Sequence, residues 1–374
     1  MNGAAAEPGI GVDPSGGPVV AGFAGRLLAE TRELIEPALL AAIDDLPPRV
    51  RLVAGYHAGL WDAHGRPAGR PGKALRPALV LSCGRAAAGA EDTGTSDRLT
   101  TAAVAVELMH DFTLLHDDVM DGDTVRRHRP AAWDVFGVAY AVLAGDTLLA
   151  LALSQLSRLG AGMETLTATY LELCLGQGTD LEFQGRAEDA DLGRCLTLAE
   201  AKTGALLGCA CQLGAMAMRA GAWETAQYRE FGRHLGVAFQ LTDDLLGIWG
   251  DPALTGKPVH ADLATRKLTL PVAAALTSGT SAGEKLRALY AAGDLSSGRP
   301  VERENRQWRS SDRLGLDTAR MADLVEQAGG RAWAQTEADR RAGRALDALA
   351  RARPEPGAAA ELRALVELAR RRDL

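Results

Sequence analysis

Apolar residues recur along this chain at three- and four-residue spacing, which is the period of amphipathic helices. Strand-like alternation of β-branched and aromatic residues is scarce. Because the predicted helices are mostly long and their connections short, the pattern indicates an all-α protein, a single-domain bundle of long helices. Helices are predicted over residues 21–43, 50–63, 76–88, 98–120, 131–159, 163–184, 191–220, 223–249, 268–277, 282–291, 318–350 and 355–371.

Three segments depart from this helical pattern. Residues 1–20 are rich in Gly, Pro and Ala and lack the basic start and apolar core of a signal peptide, so we expect a disordered tail. Residues 21–374 form the predicted domain, within which the Ser-, Gly- and Pro-rich segment 293–311 is expected to be an exposed loop. The apolar stretch from Val135 to Leu156 is interrupted by Asp146, which favours a core helix over a membrane span. We therefore expect no integral membrane segment and a cytoplasmic location.

Charge and lysine usage narrow the class of ligand. A net charge of −7 and a pI near 5.6 argue against a general affinity for nucleic acid, so any polyanionic ligand must meet local basic groups. Of 41 basic residues only five are lysines. Positions that keep lysine are therefore candidates for sites that need a compact ammonium group rather than a planar guanidinium.

An acidic cluster ends the predicted helix that precedes residue 123. Asp117 and Asp121 lie four residues apart and would share a helix face, with Asp118 about 100° round the axis. Carboxylates that converge in this way repel each other unless a cation lies between them, and oxygen-only ligation of this kind suits Mg²⁺. A solvated acidic helix end is the alternative interpretation of this motif alone.

A second apolar helix ends in the same manner, at Asp243 and Asp244. Two such helices facing each other would present carboxylates from opposite walls of one cavity, which is how helical bundles build metal sites. Two unrelated acidic helix caps are the alternative. Basic residues beside each pair could bind the phosphates that Mg²⁺ bridges. They are Lys73 and Arg76 after Gly72, Arg126 and Arg127, Lys202, Lys257 and Lys267.

These motifs resemble those of the trans-isoprenyl diphosphate synthases, or polyprenyl synthetases. The resemblance spans residues 71–271 and keeps the motifs in order. GKALRP, VELMHDFTLLHDDVMDGDTVRRHRP, GQGTDLEF, AKTGALLGCACQLGA and FQLTDDLLGIWGDPALTGKPVHADLATRKLTLP carry it. It implies the isoprenoid synthase fold, a helical bundle around a central cavity, and a homodimer.

The resemblance also implies a Mg²⁺-dependent condensation of isopentenyl diphosphate with an allylic diphosphate. The metal positions it implies are Asp117, Asp121 and Asp243, with Asp118 and Asp244 as ligands or supporting residues. Around the allylic diphosphate it places Arg126, Lys202, Lys257 and Lys267, with Thr203 and Gln240 as polar neighbours. At isopentenyl diphosphate it places Gly72, Lys73, Arg76, His110 and Arg127. Asp117, Asp121, Arg126, Lys202 and Lys257 would carry catalysis.

Product length in this family depends on the depth of an apolar tunnel below the first aspartates. Phe112 and Thr113 lie five and four residues before Asp117, and Met109 lies one turn deeper. One aromatic residue with a small neighbour resembles some geranylgeranyl diphosphate synthases, so we expect a C20 product, with farnesyl diphosphate as the alternative.

The chain departs from the family pattern at Gly247, where the second motif often carries a third aspartate. Metal binding on that wall would rest on Asp243 and Asp244, with Asp251 as a possible aid.

Two other functions remain open. A class I terpene cyclase would share the bundle and the first motif but would need a different second metal motif. A catalytically impaired partner subunit of a prenyl synthase would be consistent with Gly247.

Overall fold

The prediction of an all-α fold is confirmed. The computed structural model describes residues 18–68, 72–88, 97–183, 190–252, 258–294 and 311–371. Its helices are α1 Pro18–Asp44, α2 Pro48–Ala58, α3 Leu75–Ala88, α4 Asp97–Asp121, α5 Ala132–Phe136, α6 Val138–Leu159, α7 Met163–Phe183, α8 Leu192–Ala199, α9 Ala205–Ala217, α10 Ala222–Trp249, α11 Ala261–Ala264, α12 Leu270–Leu276, α13 Ser281–Asp294, α14 Ser311–Gln327, α15 Gly330–Arg351 and α16 Pro356–Arg371. A π-helical turn, Glu200–Gly204, joins α8 to α9.

The core of the bundle lies around α4, α9 and α10. Helix α4 packs on α6, whereas α10 packs on α9 and α15. Small residues bring these helices close together: a Cβ at Gly236 of α10 would lie 2.7 Å from the Cα atom of Gly204 in the π-helical turn. This close approach fixes the π-helical turn against α10, and both elements carry residues of the predicted site.

Three predicted helices are wrong in their continuity. The predicted helix 131–159 is broken at Gly137 (φ 86°), and the predicted helix 318–350 is broken at Gly329 (φ 84°). Both glycines have positive φ values, which end a helix without a steric penalty. The predicted helix 191–220 is interrupted by the π-helical turn. The predicted helix 50–63 ends at Ala58 because Gly59 caps it in the left-handed conformation.

A short antiparallel ribbon was not predicted. Strands β1 (Val125–Arg126) and β2 (Arg129–Pro130) pair Val125 with Pro130 and Arg126 with Arg129. The two residues between them, Arg127 and His128, both have positive φ values, 51° and 61°. Positive φ at both central residues is the type I′ pattern of two-residue hairpins, which suits the strand twist but strains residues other than glycine.

Most of the predicted tail and loop lies outside the described residues, which omit 1–17 and 295–310. Where the predictions can be compared, helix α1 begins at Pro18, three residues inside the predicted tail. Residues 293 and 294 belong to α13 and Ser311 begins α14, so the ends of the predicted loop are helical.

The predicted core helix near residues 135–156 is only partly a core helix. By length and composition, α6 could cross a membrane. One face, with Ala144 and Leu148, is buried, whereas Val138 and Leu143 are exposed. The apolar character of α6 therefore extends beyond what the bundle itself buries.

Candidate active site

The first carboxylate wall is the C-terminal turn of α4. Asp117 is half-buried, and burial together with the neighbouring charge of Asp121 raises its pKa to about 6, although Lys202 opposes this shift. Asp121 is exposed. The two carboxylates share one face of the helix, as predicted, and excess negative charge gathers there.

Asp118 differs from its two neighbours because its side chain is fully buried. It accepts a hydrogen bond of 2.8 Å from Nε of Arg126 on β1. This buried pair favours the supporting alternative for Asp118, which positions a cation at the site rather than facing the cavity.

The second wall is the C-terminal part of α10, where Asp244 is buried. Its two carboxylate oxygens accept hydrogen bonds from Nε2 of Gln240 (2.8 Å) and from the backbone N–H of Leu270 (2.9 Å). Burial raises the pKa of Asp244 to about 6, against the opposing charge of Lys267. The hydroxyl of Thr203 donates to Gln240 (2.8 Å), so this polar chain ties the π-helical turn to α10. Asp244 is thus already engaged by the protein, whereas Asp243 lies half-buried one residue before it.

Two lysines interact with carboxylates of the walls: Lys202 with Asp117, and Lys267 with Asp244 and Asp121. Nζ of Lys202, on the π-helical turn, is 2.6 Å from Oδ2 of Asp180 on α7. Burial lowers the pKa of Lys267, but the carboxylates of Asp244, Asp262 and other aspartates, Asp121 among them, raise it by more. Lys267 thus lies within the electrostatic reach of carboxylates of both α4 and α10, which is consistent with the prediction that the two walls lie near each other.

A cavity of about 310 Å³ lies beside the buried Asp118–Arg126 pair, and Arg126 belongs to its lining. Its lining brings together five of the predicted residues: Lys73, Arg76, His110, Arg126 and Arg127. Leu114 and Phe239 supply apolar lining. The strained hairpin turn places Arg127 here, which gives a structural reason for its positive φ.

Buried side chains in and around this cavity hold two of its arginines, Arg76 and Arg127, in place. Arg127 Nη2 lies 3.3 Å from Oδ1 of Asp111, and Arg76 Nη1 donates to Nε2 of His110 at 2.9 Å. Burial and the positive charge of Arg76 lower the pKa of His110, so the imidazole is neutral and accepts this bond. Burial and the charge of Asp111 raise the pKa of Glu107 to about 7.

Gly72 touches the same cluster. A Cβ at this position would lie only 2.9 Å from Nη2 of Arg127. The glycine therefore leaves the space that the guanidinium occupies, and its predicted place in the site is consistent with this contact.

The carboxylates suit a divalent cation shared with a ligand. Among the described residues, no three His, Cys, Asp or Glu side chains lie close enough to hold a metal by themselves. Asp117 and Asp121 nevertheless form an acidic pair on one face, and Mg²⁺ commonly takes one or two carboxylates together with substrate phosphates and water. The residues thus fit Mg²⁺ bound jointly with a diphosphate.

The predicted chain-length residues, Met109, Phe112 and Thr113, lie on α4 but do not line the 310 Å³ cavity. The ring of Phe112 contacts those of His116 and Tyr170 edge-on, with centroids 4.8 Å and 5.5 Å apart. Met109 is fully buried, and the Thr113 hydroxyl donates to the carbonyl of His110. Their role in product length stays a prediction.

Lys257, which the sequence assigned to the site, lies outside the described residues.

The structure also places four residues near the site that the sequence analysis did not single out. Asp180 could have been found, because it lies in the GQGTDLEF motif. Glu107 and Asp111 also lie in a family motif, but only their burial distinguishes them. Asp262 lies in the second aspartate-rich region, and only its contact with α10 reveals its place.

The sequence model of the family described as polyprenyl synthetase matches residues 65–302. The chain belongs to the polyprenyl synthetase family. A polyprenyl synthetase from Streptomyces coelicolor A3(2) superposes with a TM-score of 0.82 at 40% identity, covering 92% of this chain and 98% of that one. The predicted isoprenoid synthase fold and the prediction of a prenyltransferase are confirmed, and the terpene cyclase interpretation is set aside.

Two relatives from Mycobacterium tuberculosis have the same sequence identity to the present chain, 42%. A (2E,6E)-farnesyl diphosphate synthase is 42% identical over 91% of this chain and 90% of its own length. A geranylgeranyl diphosphate synthase is 42% identical over 96% of both chains. Identity therefore supports short-chain prenyl diphosphate synthesis and leaves the product length between these two.

Proposed function

We propose that this prenyltransferase condenses isopentenyl diphosphate with an allylic diphosphate, using Mg²⁺, to make geranylgeranyl diphosphate. The observation that carries the proposal is the pairing of two different anion sites. One is formed by the carboxylates of α4 and α10 with Lys202 and Lys267, and it suits a metal-bound diphosphate. The other is the 310 Å³ cavity, whose lining has four cations and the single carboxylate Glu107, and it suits a diphosphate bound by protein cations.

The residues divide the reaction between these sites. When bound, Mg²⁺ would stabilise the negative charge that develops on the allylic diphosphate as its C–O bond breaks. Asp117, Asp121 and Asp243 would hold the metal, and Lys202 and Lys267 would add positive charge beside the leaving pyrophosphate. Lys257 is assigned there from the sequence alone.

The second substrate is held by Lys73, Arg76 and Arg127, with His110 orienting Arg76. Its C=C bond attacks the allylic carbon, forming the new C–C bond, and loss of a proton restores an alkene. The released pyrophosphate accepts that proton. No protein base is required, which accords with the neutral, engaged state of His110.

The C20 product is supported by Phe112 and Thr113. The Phe112 ring contacts His116 and Tyr170 and would form the floor of the tunnel. Because its neighbour Thr113 is small, the tunnel would be deeper than one closed by two adjacent aromatic residues, and it would hold a longer product. A farnesyl product is the alternative, and the equally similar farnesyl diphosphate synthase favours keeping it in the test.

We also propose a homodimer formed through α6 and α7. Leu143 on α6 and Leu171 and Leu175 on α7 are 49%, 63% and 68% exposed. Neighbouring exposed leucines of this kind are typical of a protein interface. A cytoplasmic location stays a prediction from the sequence.

One incubation tests the activity. The full chain is mixed with Mg²⁺, isopentenyl diphosphate and dimethylallyl, geranyl or farnesyl diphosphate, and the product chain lengths are separated. We expect C20 material from each starter and none after chelation of the metal. A product that stops at C15 would favour the farnesyl alternative. Absence of condensation with every starter would instead support the impaired partner subunit.

A further inference from the structure

The second wall lacks a side chain at Gly247, one helical turn after Asp243. Residues four apart share a helix face, so a side chain here would lie beside that of Asp243. Gly247 therefore leaves an open position on the face that the proposed metal site needs.

Another carboxylate occupies that open position. A Cβ built on Gly247 would lie 2.0 Å from Oδ2 and 2.6 Å from Cγ of Asp262. These distances are far below van der Waals contact, so the Asp262 carboxylate already fills the space of a side chain at 247. Glycine is required here for as long as Asp262 keeps this conformation.

The backbone holds Asp262 in place. The N–H of His260 donates to the carbonyl of Ile248 (3.2 Å), directly after Gly247. Leu263 is buried in the same cluster as Ile248, and the N–H of Lys267 donates to the carbonyl of Asp262 (2.9 Å). These contacts on both sides fix α11 against the last turn of α10.

The charge of Asp262 also acts on two residues of the proposed site, Asp244 and Lys267. It raises the pKa values of both residues. Both oxygens of Asp244 already accept hydrogen bonds from the protein, so Asp262 is the candidate for a second metal-binding carboxylate beside Asp243 on this wall.

We propose that Asp262 is the third carboxylate of the second wall, placed by Gly247, and that it binds Mg²⁺ together with Asp243. This inference rests on the proposed function. The second motif often has a third aspartate where this chain has Gly247, and the inference assigns that role to Asp262, fifteen residues later in the sequence. It also predicts that substitutions at Gly247 and Asp262 affect Mg²⁺ binding in a coupled way.

Mg²⁺ binding in the presence of inorganic pyrophosphate tests the pair. The affinity of the full chain for Mg²⁺ is measured by calorimetry in the parent and in Asp262→Asn, Gly247→Asp and the double variant Gly247→Asp with Asp262→Ala. We expect Asp262→Asn to weaken Mg²⁺ binding roughly ten- to a hundredfold. Gly247→Asp alone should also weaken it, because the two carboxylates collide. The double variant should recover to within about tenfold of the parent, since one carboxylate again occupies the space.

Asp323→Asn is the matched control, because Asp323 is an exposed acid with no role in the proposed site, and its charge acts on His260, two residues before Asp262. An Asp262→Asn variant with parental affinity, an equal loss in Asp323→Asn, or a double variant weaker than both single variants would overturn the inference. Circular dichroism first verifies folding, and Asp262→Asn keeps the side-chain shape in case the alanine variant does not fold. If the parent itself binds no Mg²⁺ with pyrophosphate, it is the proposed function that fails.

Discussion

Gly72→Ala provides a sharp test of the isopentenyl diphosphate site. The added methyl group would lie 2.9 Å from Nη2 of Arg127, so the guanidinium must move by about 0.6 Å or more to reach ordinary contact. The three atoms nearest to this methyl group all belong to the guanidinium of Arg127, so the effect should be confined to the position of Arg127.

The size of the effect follows from the contact that is lost. A charge-assisted hydrogen bond to a diphosphate oxygen contributes about 1.5–3 kcal/mol. We therefore expect the KM for isopentenyl diphosphate to rise roughly ten- to a hundredfold, with the KM for the allylic substrate nearly unchanged. Steady-state kinetics with each substrate varied in turn measures both values.

Gly343→Ala is the control for this substitution. Gly343 lies in α15, and a Cβ at this position would have no atom within 4 Å, so alanine should leave both KM values alone and stabilise the helix by about 1 kcal/mol. Equal increases in both KM values of Gly72→Ala, or no increase at all, would refute the assignment of this cavity.

Three further predictions concern product, pH and stability. Phe112→Ala should lengthen the product seen by chromatography, and an unchanged product would remove Phe112 from the tunnel floor. Glu107 has a folded pKa near 7, above its unfolded value, so the native state retains a proton that the unfolded state has lost. Its contribution to stability should thus fall as pH rises from about 5 to 8, and denaturant unfolding of Glu107→Gln should show a flatter pH dependence than the parent; parallel curves would contradict this. Asp244→Ala leaves the buried N–H of Leu270 unpaired and should cost about 1–3 kcal/mol in denaturant unfolding, whereas a loss below about 0.5 kcal/mol would show that this bond matters little.

Much of this site could be predicted from the sequence because its parts lie in regular helices. Asp117 and Asp121 share a face of α4 by helical periodicity alone, and the repeated motif at Asp243 indicated a facing wall. The cations of the second site followed from their placement beside glycine-bearing loops and from the family resemblance.

Features set by backbone conformation or distant contacts were not predictable in this way. The π-helical turn that carries Lys202 leaves the hydrophobic pattern of a continuous helix almost unchanged. The hairpin that presents Arg127 has no glycine at either central position, so its turn signal is absent. Nothing in the spacing of Gly247 and Asp262 indicates that one fills the space left by the other.

The most direct measurement is a crystal structure with Mg²⁺, isopentenyl diphosphate and a non-reactive allylic diphosphate analogue. We expect isopentenyl diphosphate beside Lys73, Arg76 and Arg127, and the analogue joined through Mg²⁺ to Asp117 and Asp121. We also expect metal electron density on the opposite wall. A structure in which the analogue binds among Lys73, Arg76 and Arg127, or in which no metal lies between the two walls, would contradict the division of the two substrates between these sites.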